Sequence, residues 1–182
     1  MTNLFTETSS PGLVKHIADL GSNLTGCEIG VCRGYNIKHL LDCVPQVIKI
    51  YAIDPWKIHN ELQVDFSRQV SQDEVNEWKN IALAVLQPLG DRVVILEKTA
   101  KEAQSDIPDS SLDFIFIDGD HSYDAVLDDC MTYWSKVRSS GIFSGHDWNF
   151  GTVQSAVYDF RKQNNITTEI QFTDNNVWFW YK

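Results

Sequence analysis

Basic residues are scarce in this 182-residue chain: 15 Lys and Arg stand against 25 Asp and Glu, a formal net charge of −10. Nonspecific binding to a phosphate backbone runs on clustered Lys and Arg, so no nucleic-acid partner is expected. Long apolar runs are missing, which argues against a membrane span. Residues 1–10 have neither a basic start nor an apolar stretch, so no secretory leader is expected and the segment reads as flexible. Cysteine is limited to four, Cys27, Cys32, Cys43 and Cys130, with no Cys-x-x-Cys pair, a pattern of reduced thiols in a cytoplasmic protein. Repeats and low-complexity segments are also lacking. Apolar residues, by contrast, make up 43% of the chain and aromatics 12%, enough for one well-buried domain across 1–182.

With only five prolines, each acts as punctuation. Ser10-Pro11 resembles an N-cap and first helical position, opening a helix that runs to Leu20 before Gly21. Short strands over 27–29, 48–53, 92–96, 112–117 and 142–143 then alternate with helical patterns. One helix covers 36–44 and is stopped by Pro45; another covers 73–86 and presents Trp78, Ile81, Ala82 and Val85 on one face. A third carries Val126, Cys130, Tyr133 or Trp134, and Val137; a last carries Val153, Ala156, Val157 and Phe160. Runs over 167–172 and 177–181, joined by Asp174-Asn175-Asn176, read as a hairpin that stacks Trp178 and Trp180 on one face. The expected fold is α/β: a three-layer, Rossmann-like, doubly wound sheet, mostly parallel, with a C-terminal antiparallel hairpin strand.

The stretch Gly26-Cys27-Glu28-Ile29-Gly30-Val31-Cys32-Arg33-Gly34 has the form of a strand handing over to a ligand-facing helix. Gly30 and Gly34 permit tight turns and close ligand approach. Asp54, ending the next strand, can take both hydroxyls of a ribose. Together these point to an adenosine-bearing cofactor. A dinucleotide turn, Gly-x-Gly-x-x-Gly, has glycine where this chain has Glu28, and no glycine follows Gly30 by three. A carboxylate there would repel a pyrophosphate, yet it suits an ammonium and a sulfonium.

These residues resemble the class I methyltransferases that use S-adenosylmethionine, and within them the small O-methyltransferases of catechol and macrolide-sugar type. The likeness runs from about Gly26 to the end. It is carried by Glu28-Ile-Gly-Val-Cys-Arg-Gly34, by Tyr51-Ala-Ile-Asp54, and by Phe114-Ile-Phe-Ile-Asp118-Gly-Asp-His121. The resemblance implies that Glu28 faces the methionine amino group, that Gly30, Val31 and Gly34 shape the loop, and that Asp54 and Pro55 meet the ribose side. It also implies that Thr99 and Ala100 lie in the adenine-facing loop and that Asp118 ends beside the methyl group.

Methyl transfer to oxygen requires an aligned acceptor and a place for its proton. Asp118-Gly119-Asp120-His121 and Ser144-Gly145-His146-Asp147-Trp148 end neighbouring parallel strands, close enough for Asp118 and Asp147 to share Mg2+ or another hard divalent cation. His121 or His146 can serve as base. In the macrolide-sugar relatives the base is a histidine placed like His121, which favours it here. Catechol-type members put an asparagine after the second aspartate. This chain has Trp148, so the third ligand is open between Asp120 and His146, with a metal-free site using His121 alone as the alternative. Trp148 and Phe150 are candidates for lining an acceptor pocket, and residues 56–72 for a substrate-covering insertion.

The expected function is O-methylation of a small molecule, with cation assistance, in a protein free to form a homo-oligomer. Two other readings stand beside it: a dinucleotide-dependent (NAD(P)) oxidoreductase on a similar sheet, and a non-catalytic cofactor-binding or assembly protein.

Overall fold

The computed structural model describes residues 11–58, 70–173 and 176–182. The expectations for residues 1–10, for most of the 56–72 insertion and for the Asp174-Asn175 turn fall outside the described residues.

Helix α1 (Pro11–Ala18) opens the described chain, and strand β1 (Leu24–Ile29) leads into helix α2 (Tyr35–Cys43). Pro45 lies just beyond α2, where a missing N–H does no harm. Strand β2 (Val47–Ile53) is followed by helix α3 (Gln72–Leu86), which starts at a reciprocal cap: Ser71 accepts from the Glu74 N–H while Glu74 reaches back to Ser71. Strand β3 (Val93–Leu96), the short helix α4 (Ala100–Ala103) and strand β4 (Leu112–Ile117) follow. Helix α5 (Tyr123–Tyr133), strand β5 (Val137–Gly145), helix α6 (Gly151–Gln163) and the antiparallel strands β6 (Gln171–Thr173) and β7 (Val177–Tyr181) complete the order.

The seven strands are ordered β3-β2-β1-β4-β5-β7-β6. The first five are parallel, and β7 runs antiparallel between β5 and β6. This is the expected three-layer, Rossmann-like sheet. Its central strands are apolar on both faces, as a doubly covered sheet requires. On one face Leu24, Phe114, Phe116 and Phe179 pack with α1, α2 and α3. On the other, Cys27, Ile115, Phe143 and Trp178 pack with α5 and α6. Trp178 and Trp180 share that second face, stacked with ring centroids 5.4 Å apart and almost fully buried. Burial of such a ring contributes about 2–3 kcal/mol.

Two sequence expectations need correction. Val137 does not continue the third helix. It begins β5 and pairs with Leu112, after which the chain bulges before Ile142 pairs with Phe114. The four-residue, helix-like spacing of Val137 from Tyr133 is accidental, because the chain turns at residues 134–136. Residues 138–141 are the bulge, held by Arg138, whose Nε donates to Asp113 Oδ1 at 2.6 Å. The run 167–172 is also shorter as a strand. Only Gln171–Thr173 pairs with β7, because residues 167–170 have no strand partner.

All four cysteines are free, Cys27 and Cys130 buried and Cys32 and Cys43 exposed. Among the described residues, no helix is long and apolar enough to cross a membrane.

Candidate active site

The parallel register brings the strand ends into one row. Ile29 pairs with both Ile53 and Ile117, Ile53 with Leu96, and Ile117 with Gly145. The ladder continues one residue further: the N–H of Gly30 donates to Ile53, of Asp54 to Leu96, of Asp118 to Ile29, and of His146 to Ile117. Asp54, Gly30, Asp118 and His146 therefore stand abreast at the carboxyl edge. The strand order reverses between the parallel neighbours β1 and β4, and such a switch point is where open α/β sheets bind ligands.

Glu28 is the penultimate residue of β1 and is 2% exposed. Its Oε2 accepts from Asn36 Nδ2 at 2.7 Å, and both residues line a small cavity between α1 and the sheet. Burial pushes the Glu28 carboxyl well above its usual range; the Asn36 bond opposes this, and the charges of Asp118 and Asp54 add to it. Asn36 was not singled out in the sequence. Its signal was an amide in the first turn of the helix after the glycine loop, eight residues beyond the strand-end acid.

Gly30 has φ +86, and a Cβ there would sit 2.0 Å from the Asp118 carbonyl oxygen, so this turn presses directly on the end of β4. Val31 turns its side chain into the core at 3% exposure, leaving its backbone to shape the loop. Gly34, with φ +77, precedes α2. Both Asp54 oxygens accept backbone N–H groups, Oδ2 from Cys32 at 2.9 Å and Oδ1 from Trp56 at 2.7 Å, across Pro55. Thr99 and Ala100 follow β3, beside the Asp54 strand. The Thr99 hydroxyl caps α4 together with Glu102, and the Ala100 carbonyl accepts from Tyr133 Oη at 2.8 Å.

On the β4–β5 side, a small cleft is lined by Asp118, Asp120, His121, His146 and Asp147 among others. His121 Nε2 lies 2.7 Å from Asp147 Oδ2, and its ring stacks on Phe150 at 5.3 Å. His121 therefore faces Asp147 and does not cap α5. Burial disfavours the charged form of His121, but the Asp147 hydrogen bond and the charges of Asp147, Asp118 and Asp120 outweigh it and raise its pKa. His146 Nδ1 lies 3.2 Å from Asp147 Oδ1 and 3.4 Å from Asp118 Oδ1. Against the opposing effect of burial, these carboxylates push the His146 pKa up to about 10. Burial raises the Asp118 carboxyl despite the pull of His146. For Asp147 burial acts in the same direction, yet the two histidines overcome it and hold the carboxyl well below its usual range.

Ligand atoms of Asp118, His121 and Asp147 all lie within 4.8 Å of one another. Two carboxylates and an imidazole fit a divalent cation, and the nitrogen widens the choice from Mg2+ toward Mn2+ or Fe2+. Asp120, one of the expected third ligands, accepts the Ser122 N–H through Oδ1 at 2.7 Å. Trp148 is half-buried against Tyr158 and Phe172, with ring centroids at 5.5 and 5.0 Å.

A buried acid under a cavity, a glycine turn with no room for Cβ and an acid at the next strand end fit an adenosine carrying an amino-acid tail. The family model described as "methyltransferase domain" matches residues 27–148, two-thirds of the chain. Among curated proteins no sequence relative matches. The fold is similar to the O-methyltransferase NovP, with TM-score 0.65 and 18% identity over 93% of this chain and 79% of that one. It is also similar to a precorrin-6y C5,15-methyltransferase from Geobacter metallireducens, with TM-score 0.65 and 15% identity over 94% and 86% of the two chains. A SAM-dependent methyltransferase from Aquifex aeolicus gives TM-score 0.59 and 18% identity over 95% and 88%. With its motif order, sheet topology and matched domain, the chain belongs to the class I S-adenosylmethionine-dependent methyltransferases.

Proposed function

We propose that this methyltransferase transfers the methyl group to an oxygen of a small molecule, with His121 as base. The observation that carries this reading is the His121–Asp147 pair at 2.7 Å, in the cleft that Asp118 shares beside the glycine loop. With Nε2–H donating to the Asp147 carboxylate, Nδ1 is the nitrogen that takes the acceptor's proton. Asp147 fixes the ring and stabilises its charged form. Glu28 and Asn36 hold the methionine end, Gly30, Val31 and Gly34 the loop, Asp54 and Pro55 the ribose side, and Thr99 and Ala100 the adenine side. S-adenosylmethionine supplies an activated methyl carbon, so the protein's work is alignment and proton removal.

The mutual proximity of Asp118, His121 and Asp147 supports a second reading of the same cleft. There the three hold a divalent cation that acidifies the acceptor hydroxyl, and the base role passes to His146. A net charge of −10 favours a small acceptor over nucleic acid, and the thiol usage fits a cytoplasmic setting.

A thermal-shift series with S-adenosylhomocysteine, NAD and NADP, each with Mg2+ or EDTA, tests the reading. Ligand at 100 times its Kd adds about 2.7 kcal/mol of stability. S-adenosylhomocysteine is expected to raise Tm by several degrees and NAD by nothing; a shift with NAD alone refutes the assignment. A further rise with Mg2+ supports the cation reading.

Glu28 gives the binding a pH signature. Burial keeps its carboxyl protonated to higher pH than usual in the free protein, whereas an ammonium partner favours the anion. Binding therefore releases a proton, and affinity for S-adenosylhomocysteine should climb with pH, by up to about tenfold per unit below the Glu28 pKa. Calorimetry in buffers of different ionisation enthalpy reads the proton directly, and Glu28→Gln should remove the dependence.

A further inference from the structure

Trp56 combines features that burial alone does not require. It is 3% exposed within the core facing α1, α2 and α3, yet its φ is +41, a left-handed conformation costly for a bulky side chain. Its indole Nε1 donates to the Cys32 carbonyl at 2.8 Å, and its own N–H donates to Asp54 Oδ1 at 2.7 Å. The Cys32 N–H donates to Asp54 Oδ2 at 2.9 Å, and Cys32 too is left-handed, with φ +50. Three bonds thus close a ring through the glycine loop, the strand-end acid and the residue two beyond it. From outside the ring, Gln72 at the start of α3 donates Nε2 to the Trp56 carbonyl at 3.0 Å and accepts the Ile58 N–H through Oε1 at 3.0 Å.

We propose that Trp56 is a positioning residue for the cofactor's ribose: its indole N–H holds the Cys32 carbonyl while its backbone N–H holds Asp54, so that carboxylate and glycine loop meet the adenosine preformed. The proposal rests on the reading of Asp54 as the ribose acid. Its energetic logic is preorganisation. Left-handed backbone at Cys32 and Trp56 persists because the ring over-determines it, and the ordering cost falls on folding instead of on binding. A phenylalanine would keep an aromatic ring in this core, but it is smaller and carries no N–H, so only tryptophan supplies the bond to Cys32.

The test is a double-mutant cycle on the full chain, read by calorimetric affinity for S-adenosylhomocysteine. Trp56→Phe deletes the N–H and keeps a ring; it should weaken binding about fivefold, the scale of one lost hydrogen bond. In an Asp54→Asn background the same change should cost less than about twofold, because Trp56 acts through Asp54. A merely structural role would multiply the two effects, and that result overturns the proposal. So does an unchanged affinity in Trp56→Phe when the wild type binds. Should Trp56→Phe fail to fold, Gln72→Ala decides, since Gln72 is exposed and its removal frees the Trp56 carbonyl from the other side: weaker binding supports the proposal, unchanged binding overturns it. If the wild type itself does not bind S-adenosylhomocysteine, the cofactor reading fails, and that failure is distinct from the others.

Discussion

Gly30→Ala should abolish measurable S-adenosylhomocysteine binding and lower Tm by about 5–10 °C. Two costs combine. The backbone has φ +86, which costs an L-residue roughly 1–2 kcal/mol. The new methyl would also lie 2.0 Å from the Asp118 carbonyl oxygen and 2.4 Å from its carbon, and both obstacles are backbone. Relief requires β1 and β4 to part at the carboxyl edge, where Gly30 and Asp118 stand side by side. About 2–3 kcal/mol corresponds to this Tm shift in a protein of this size. Gly90→Ala is the control, since Gly90 also has positive φ, +62, but nothing within 4 Å of its Cβ position. At φ +62 and ψ −142 it carries backbone strain without any close contact, so Gly90→Ala lowers Tm while leaving ligand affinity unchanged. Scanning fluorimetry and calorimetry on the two variants separate close approach from strain; equal behaviour would refute the tight-contact account.

His121→Ala should reduce methyl transfer by about 10²–10⁴-fold, the usual contribution of a positioned base, while S-adenosylhomocysteine affinity stays within about twofold. Labelled-methyl transfer to hydroxylated acceptors, with separate calorimetry, reads both quantities. The pH profile carries the sign. Asp147, with Asp118 and Asp120, raises the His121 pKa, and a base works only when deprotonated, so turnover should rise with pH through that elevated value. Asp147→Asn removes the hydrogen-bonded charge and should move this acidic limb to lower pH as well as lowering the rate. Unchanged turnover in His121→Ala would hand the role to His146 or to a cation on Asp118 and Asp147.

Much of this architecture was legible from local pattern. Alternating apolar runs with Pro45, Gly21 and Gly90 as punctuation specify the βα order, because strand and helix periods differ and breakers act locally. Where two signals overlapped, pattern failed: Val137 fits the helical spacing of α5 and begins β5 instead, since only pairing with Leu112 distinguishes the two. Glu28, Asp54, Asp118 and Asp147 were visible as acids at strand ends. Their partners were less so. Nothing in the order of residues says that Asn36 answers Glu28, that Trp56 reaches Cys32, or that His121 turns to Asp147 and not to the start of α5.

Residue type and short-range spacing were enough for the α/β class, the position of each strand-ending acid and the preference for a nucleoside bearing an amino acid over a dinucleotide. Tertiary structure alone decided which groups meet. The register that aligns Ile29, Ile53, Leu96, Ile117 and Gly145 sets Asp118 beside His146 and Asp147 beside His121, and buries Glu28 far enough to change its proton affinity. Electrostatics and hydrogen bonding act over a few ångströms of space, while residues 28, 54, 118 and 146 are separated by dozens of positions along the chain.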